Sequence, residues 1–417
     1  MISQTTIEIV KSTAPILQEH GEVLTQHFYK RMLSRNPEVA SFFNTSNQEQ
    51  GTQQRALAGA VTAFALHIDN LEVLAGAVEL IAQKHAALQI KAEHYPIVGE
   101  NLLASIQEVL GDAATDSIIN AWAEAYGFLS SILIERESTI YKEKADQPGG
   151  WDGFRDFEVV KKQAESSNIT SFYLKPADKG ALPQFKPGQY ITIRVPDPNT
   201  ETTMRNYSLS DRPDAGCFRI SVKKELALGE GHPAGYVSNL LHSRVETGAK
   251  LELAAPCGDF FLNEEVEENR PLVLLAAGVG ITPILSILKA ALVRDGDREV
   301  ILVHASQNET VQAFKGEINE LAHQNQNLKV YYRYSDEEAD GQFRTGNSST
   351  GLVDHSFLEN LYAGLEADYY FCGPKPFMAG LYSSLQDRGV PEKQLNFEFF
   401  GPKEDLLVSH EHRVEMA

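Results

Sequence analysis

Leu272-Val273-Leu274-Leu275-Ala276-Ala277-Gly278-Val279-Gly280-Ile281-Thr282-Pro283 reads as a buried strand, a glycine turn and the opening of a helix. The apolar run suits a strand covered on both faces. Its glycines permit a tight turn that brings backbone amides toward a pyrophosphate at the next helix's N-terminus, where the proline is tolerated. A lone Gly-x-Gly carries little weight, so the surroundings decide. Strands are predicted at Val300–His304, Lys329–Tyr334, Tyr369–Cys372 and Leu395–Phe399, alternating with helices. This is the pattern of a doubly wound α/β domain with a parallel sheet. After the second strand come Ala305-Ser306-Gln307-Asn308, with no arginine or lysine placed for a 2′-phosphate. That favours NADH and leaves NADPH open.

Working toward the N-terminus, the segments 155–163, 169–175, 188–195, 205–210, 217–223 and 250–255 are short and rich in β-branched or aromatic residues, spaced as in a small antiparallel barrel. Ala145-Asp146-Gln147-Pro148-Gly149-Gly150-Trp151 is rich in turn formers and ends that grammar. Before it, from Thr5 to Tyr141, apolar residues recur every three or four positions, as in Leu57, Val61, Phe64 and Ile68, or Leu74, Val78, Ile81 and Leu88. Six or seven helices are expected there, with breaks at Asn36-Pro37, in the polar stretch Asn44 to Gly51, and at Tyr95-Pro96. The boundaries read as a helical domain over 1–140, a linker over 141–151, a β-barrel over 152–264 and an α/β domain over 265–417.

The bulk numbers narrow the class. The chain has 417 residues, 42% hydrophobic and 23% charged, with a formal net charge of −20 and no basic block. Nucleic acid and anionic membranes are therefore poor partners. Cys217, Cys257 and Cys372 are far apart in sequence and form no Cys-x-x-Cys pair, which disfavours disulfides, iron–sulfur clusters and covalently attached haem. The first 17 residues lack a targeting pattern, and the longest purely apolar run, Leu272 to Ala277, is far below the roughly 20 residues of a bilayer span. A cytoplasmic, reducing location is expected.

His85 lies on its helix's apolar stripe, four residues after Ile81 and three before Leu88. Such an imidazole is satisfied either by a hydrogen bond in the core or by a metal, and periodicity alone favours the first. Its neighbours are Lys84, then Ala92-Glu93-His94-Tyr95-Pro96-Ile97-Val98-Gly99, with Phe28-Tyr29, Phe42-Phe43-Asn44 and Gln53-Gln54-Arg55-Ala56-Leu57 upstream. In these motifs the first 140 residues resemble a bacterial globin. The resemblance implies an all-α globin fold with His85 as the proximal ligand of haem iron and the opposite face open to a diatomic gas. It further implies that Tyr29 and Gln53 donate hydrogen bonds to bound oxygen, that Leu57 narrows the pocket and that Phe43 wedges the porphyrin. Lys84 is carried along as a cofactor contact. For Tyr29 an ordinary core aromatic is the alternative. On the proximal side Tyr95 and Glu137 match the family's partners of the axial imidazole, with Glu135 as the neighbouring alternative. A carboxylate there would give His85 imidazolate character, which favours O–O activation over storage.

Pro187-Gly188-Gln189-Tyr190 and Arg205-Asn206-Tyr207-Ser208 resemble the flavin domain of the ferredoxin–NADP reductase family, and with them the barrel is expected to hold FAD. Arg205 suits a pyrophosphate clamp, Tyr207 a ring over the isoalloxazine and Ser208 a hydrogen bond to its reactive nitrogen, with Tyr190 and Asn206 beside them. Gly278, Val279, Gly280, Ile281, Thr282 and Pro283, together with Cys372-Gly373-Pro374 at another strand's end, match that family's pyridine nucleotide site. Phe397-Glu398-Phe399-Phe400-Gly401-Pro402 resembles its flavin-covering segment. Here Phe399 replaces a cysteine and the chain continues to Ala417.

Globin, flavin barrel and nucleotide domain in that order look like a flavohaemoglobin. The resemblance implies nitric oxide dioxygenase activity, in which NADH or NADPH reduces FAD, FAD reduces haem b one electron at a time, and nitric oxide and oxygen become nitrate. The partners so implied are small molecules, with no obligate protein partner. Two other readings stay open at this point: a sensor whose globin controls the reductase, and a reductase for external acceptors with a vestigial globin.

Overall fold

The computed structural model describes residues 2–43, 51–227, 229, 233–263, 270–336, 347–362, 364 and 366–399. Phe400, Gly401, Pro402 and the tail beyond them lie outside the described residues. The chain packs as two units, one comprising Met1–Phe154, Thr192–Arg205 and Ala254–Asp259, the other the remaining described residues.

Residues 1–150 form helices α1 (Gln4–Ser12), α2 (Ala14–Arg35), α3 (Thr52–His67), α4 (Ala75–Ala87), α5 (Tyr95–Leu110) and α6 (Asp116–Asp146). Local chemistry sets their ends. Ser3 caps α1 by accepting from the Thr6 N–H, Thr115 caps α6 by accepting from Ile118, and Pro37 and Pro96 open the turns that follow Asn36 and Tyr95. Their stripes meet in a core of Phe28, Met32, Phe64, Leu102, Ile106 and Trp122, all at most 5% exposed; each such side chain contributes about 2 kcal/mol on burial. α6 runs on to Asp146, into the stretch read as linker, because no glycine or proline interrupts Tyr141–Asp146. By length and hydropathy alone α6 could also cross a membrane. Its buried residues include Ala121, Trp122, Ala125, Leu133 and Ile140, on the helix that packs against α1, α4 and α5.

Six strands follow: β1 (Phe154–Ala164), β2 (Ile169–Pro176), β3 (Tyr190–Asp197), β4 (Glu201–Ser208), β5 (Phe218–Lys223) and β6 (Lys250–Ala254), in the order β4-β3-β6-β1-β2-β5. β1–β2 and β2–β5 are antiparallel, and the bridge Leu209↔Ile220 joins the chain leaving β4 to β5, as closure into a barrel requires. β4 starts and ends earlier than the 205–210 expected, since Leu209 has already left it for that bridge. Helix α7 (Tyr236–Arg244) precedes β6.

The last sheet holds β7 (Leu272–Ala277), β8 (Val300–Ser306), β9 (Leu328–Tyr334), β10 (Ser348–Thr350), β11 (Asp368–Cys372) and β12 (Leu395–Glu398), in the order β10-β9-β8-β7-β11-β12 with every neighbouring pair parallel. Helices α8 (Ile281–Arg294), α9 (Lys315–Gln324), α10 (His355–Leu361) and α11 (Lys375–Asp387) connect its strands. All of β7 is buried, which explains its unbroken apolar run. β10 was not foreseen, because Ser-Ser-Thr at a sheet edge carries no apolar signal.

Candidate functional site

His85 sits in the last turn of α4, and its Nδ1 lies 2.7 Å from Glu137 Oε1 and 3.1 Å from the Tyr95 hydroxyl. Tyr95 donates to the same carboxylate oxygen at 2.5 Å. An ionised carboxylate only accepts, so in the neutral imidazole the tautomer this pairing selects has the proton on Nδ1 and the lone pair on Nε2. Nε2 has no partner among the described residues. Glu137 is 2% exposed, and each neighbour fixes it. Burial, and after it the Glu137 hydrogen bond, push the Tyr95 phenol far above its ordinary range, so it stays a donor. Tyr126 donates to the Tyr95 carbonyl at 2.7 Å. Arg136 turns the other way and grips Glu79 of α4 through Nε and Nη2 at 2.6 and 3.0 Å, tying the histidine's helix to the carboxylate's. Glu135, the alternative, is exposed.

Tyr29 of α2 is 9% exposed and packs edge-on against Phe28 and Phe43, with ring centroids 5.0 and 5.6 Å away. Its hydroxyl has no hydrogen-bond partner among the described residues, and burial raises its pKa well above the phenol range. Phe43, Leu57, Val61 and Val98 pack against the same core but stay half-buried, as do His85, Lys84 and Gln53, which lies one turn before Leu57 on α3. Apolar side chains stopped halfway, with one bare imidazole nitrogen and one unsatisfied phenol, fit a large flat apolar group with a metal at its centre. Haem is such a group.

The nucleotide segments also come together. Gly278 has φ +54°, open to glycine, and Gly280 lies so close to the end of β11 that a Cβ on it would sit 2.2 Å from the Cys372 carbonyl oxygen and 2.8 Å from the Gly373 nitrogen. Val279 accepts from Thr282 Oγ1 at 2.9 Å, Ile281 and Pro283 are buried in the first turn of α8, and Pro374 caps α11. Such a loop, tight against a second strand end, suits a pyrophosphate. Gly280→Ala is therefore expected to push the loop off β11 and raise the KM for NADH by roughly tenfold or more, a clash of this kind costing on the order of 1–3 kcal/mol; steady-state reduction of an artificial electron acceptor measures it.

The sequence reading missed His304. It is fully buried on β8, donates Nε2–H to the Gly278 carbonyl at 3.4 Å, and is held neutral by desolvation, its pKa lowered to about 4. The signal was present: one polar residue ending the apolar run Val300–Val303. On β4, Arg205 donates to Thr203 Oγ1 at 3.1 Å and to the Met204 carbonyl at 2.6 Å. Strand alternation sends Arg205 and Tyr207 to one face, Asn206 and buried Ser208 to the other. Tyr190 is buried at the start of β3, Cys372 is fully buried with its thiol pushed up by desolvation, and Phe399 packs half-buried on the core beside β12.

Family models match in the same order: a globin over residues 26–133, an oxidoreductase FAD-binding domain over 156–262 and an oxidoreductase NAD-binding domain over 274–382. A flavohemoprotein of Rhodopirellula baltica is 48% identical over 409 residues, covering 98% of this chain and 100% of that protein. The crystal structure of a flavohemoglobin from Malassezia yamatoensis, with bound FAD and heme, superposes with a TM-score of 0.82 at 29% identity, covering 96% of this chain and 100% of that one. The FAD/NAD-binding domain of a nitric oxide dioxygenase from Vibrio cholerae is 38% identical with a TM-score of 0.53, covering 60% of this chain and 99% of that one. The chain belongs to the flavohaemoprotein family. Haem, FAD and a pyridine nucleotide are its cofactors.

Proposed function

We propose that this chain is a nitric oxide dioxygenase that draws electrons from NADH or NADPH and converts nitric oxide and oxygen to nitrate. Each nitrate consumes one electron, so one hydride supports two nitrate ions. When bound, FAD accepts the hydride and haem b supplies an iron that takes electrons singly and binds a diatomic gas. The observation that carries this reading is the buried Glu137 carboxylate, 2.7 Å from His85 Nδ1 and also bonded by Tyr95. A carboxylate in that place makes the imidazole a stronger donor through Nε2, which a storage globin does not need. Tyr29, its phenol kept protonated by burial, would offer a hydroxyl to a ligand on the iron, with Gln53 as a second donor. Phe43 and Leu57 would hold the group's apolar edge, and Lys84 its rim.

In the reductase part Arg205, Tyr190, Asn206, Tyr207 and Ser208 would hold FAD, with Phe399 as a further contact. Gly278 to Pro283 and Cys372 to Pro374 would hold the nucleotide. With donor site and acceptor on one chain, no protein partner is required. The cytoplasm, where reduced nucleotide is abundant, is the expected location. The test supplies nitric oxide, oxygen and NADH and scores nitrate: stoichiometric nitrate supports the reading, and NADH oxidation without nitrate overturns it. Tyr29→Phe is expected to speed oxygen dissociation about fivefold, for a lost hydrogen bond of about 1 kcal/mol, as flash photolysis would measure. An unchanged rate removes the hydroxyl from the distal role.

A further inference from the structure

Between the barrel and the nucleotide-binding sheet, within one packed unit, lies a group of four charges that the reaction described above does not use. Arg219 of β5 is 3% exposed and grips Glu317 of α9, Nη1 to Oε2 at 2.8 Å and Nη2 to Oε1 at 3.4 Å. Its Nη2 also donates to the Ser210 carbonyl, and its Nε stands 3.7 Å from Asp211 Oδ2. Lys289 of α8 closes the set, bonding Asp211 Oδ1 and, at 2.8 Å, Glu317 Oε1. Two cations meet two anions, so the group is neutral as a whole. Burial alone opposes the charges of Arg219 and Glu317, working to lower the one's pKa and raise the other's. Partners more than offset that: Glu317 and then Asp211 raise Arg219, while Arg219 and Lys289 lower Glu317.

The group converges on the segment that leaves the flavin-binding strand. Asp211 stands three residues after Ser208, Ser210 takes the Arg219 carbonyl through its backbone N–H at 2.8 Å, and Ser286 of α8 donates to the Asp211 carbonyl at 2.7 Å. α8 begins at Ile281, directly after Gly280 of the nucleotide loop. One short strand end is thus held by ionic and hydrogen bonds to the helix that carries the other cofactor's loop. Desolvation makes a buried ion group a costly adhesive, and packed apolar side chains would hold two elements as firmly. Directed charges add register, since they bind in one geometry and lose strongly in any other.

We infer that Asp211, Arg219, Lys289 and Glu317 are positioning residues that set the spacing between the Ser208 strand and the nucleotide loop, and through it hydride transfer from NADH to FAD. The inference rests on the reductase reading given above. It is tested on the full-length, FAD- and haem-loaded protein by anaerobic stopped-flow mixing with NADH. In Arg219→Met/Glu317→Leu the charges are replaced by apolar bulk. The melting temperature is expected to stay near that of the parent, the long-wavelength charge-transfer absorbance of the nucleotide–flavin pair to fade, and flavin reduction at saturating NADH to slow by roughly ten- to a hundredfold, as misplacement of reacting groups does. Should that variant not fold, Lys289→Met, which leaves Arg219 paired, is expected to show the same losses in smaller measure, with Lys289→Arg restoring them. Parental charge-transfer absorbance and reduction rate in the folded variants would overturn the inference. A parent chain that does not reduce its flavin with NADH would instead overturn the reductase reading.

Discussion

His85→Ala is expected to yield a chain that binds FAD and reduces it with NADH at the parental rate, yet shows no Soret band after purification. Nε2 of this imidazole faces no protein partner among the described residues, and its Nδ1 proton is committed to Glu137 at 2.7 Å. Removing the ring takes away the nitrogen proposed as the ligand of the iron. The substitution changes no residue of β4 or of the nucleotide loop, so the two halves of the activity are expected to separate. Free imidazole supplied during haem reconstitution should restore part of the band by entering the space the ring vacates. An alanine variant with parental haem content and spectrum removes His85 from the iron.

The second large effect is expected from Glu137→Gln. Glutamine keeps the size and an acceptor oxygen for Nδ1–H and for the Tyr95 hydroxyl, so what it removes is the negative charge. Partners of a metal-bound histidine typically matter by about 10–100-fold in metal affinity or activity, and a loss of that order in nitrate turnover is expected. The haem reduction potential should rise at the same time, because a weaker donor stabilises ferric iron less and so favours the ferrous state. Spectroelectrochemistry reads this directly. A potential and turnover equal to the parent's would show that the hydrogen bond, and not the charge, is what Glu137 provides.

Much of this fold is legible in the sequence alone. Leu272–Ala277 was legible to the residue because a central parallel strand is apolar throughout. His85 was legible as a core imidazole from its place on a stripe, but periodicity left hydrogen bond and metal undecided; the resemblance carried by the motifs around it implied the second. Glu137 over Glu135 came from a resemblance, and only the fold shows why: one step of two residues on α6 turns the side chain from solvent to core. Other features left no local trace. The ionic group draws on positions 211, 219, 289 and 317, each of which reads alone as a solvated charge. The Arg136–Glu79 clasp likewise joins residues on separate helices. Long-range pairing of charged side chains has no periodicity, so it becomes visible only once the elements are packed.

In the proposed function, electrons delivered by NADH reach haem through FAD on one chain. Anaerobic stopped-flow mixing with NADH, followed at flavin and Soret wavelengths together, tests it most directly. The flavin should bleach first and the ferric Soret band should then shift to the ferrous position, without any added mediator. Flavin that bleaches beside a haem left ferric would show that electrons do not pass from FAD to haem.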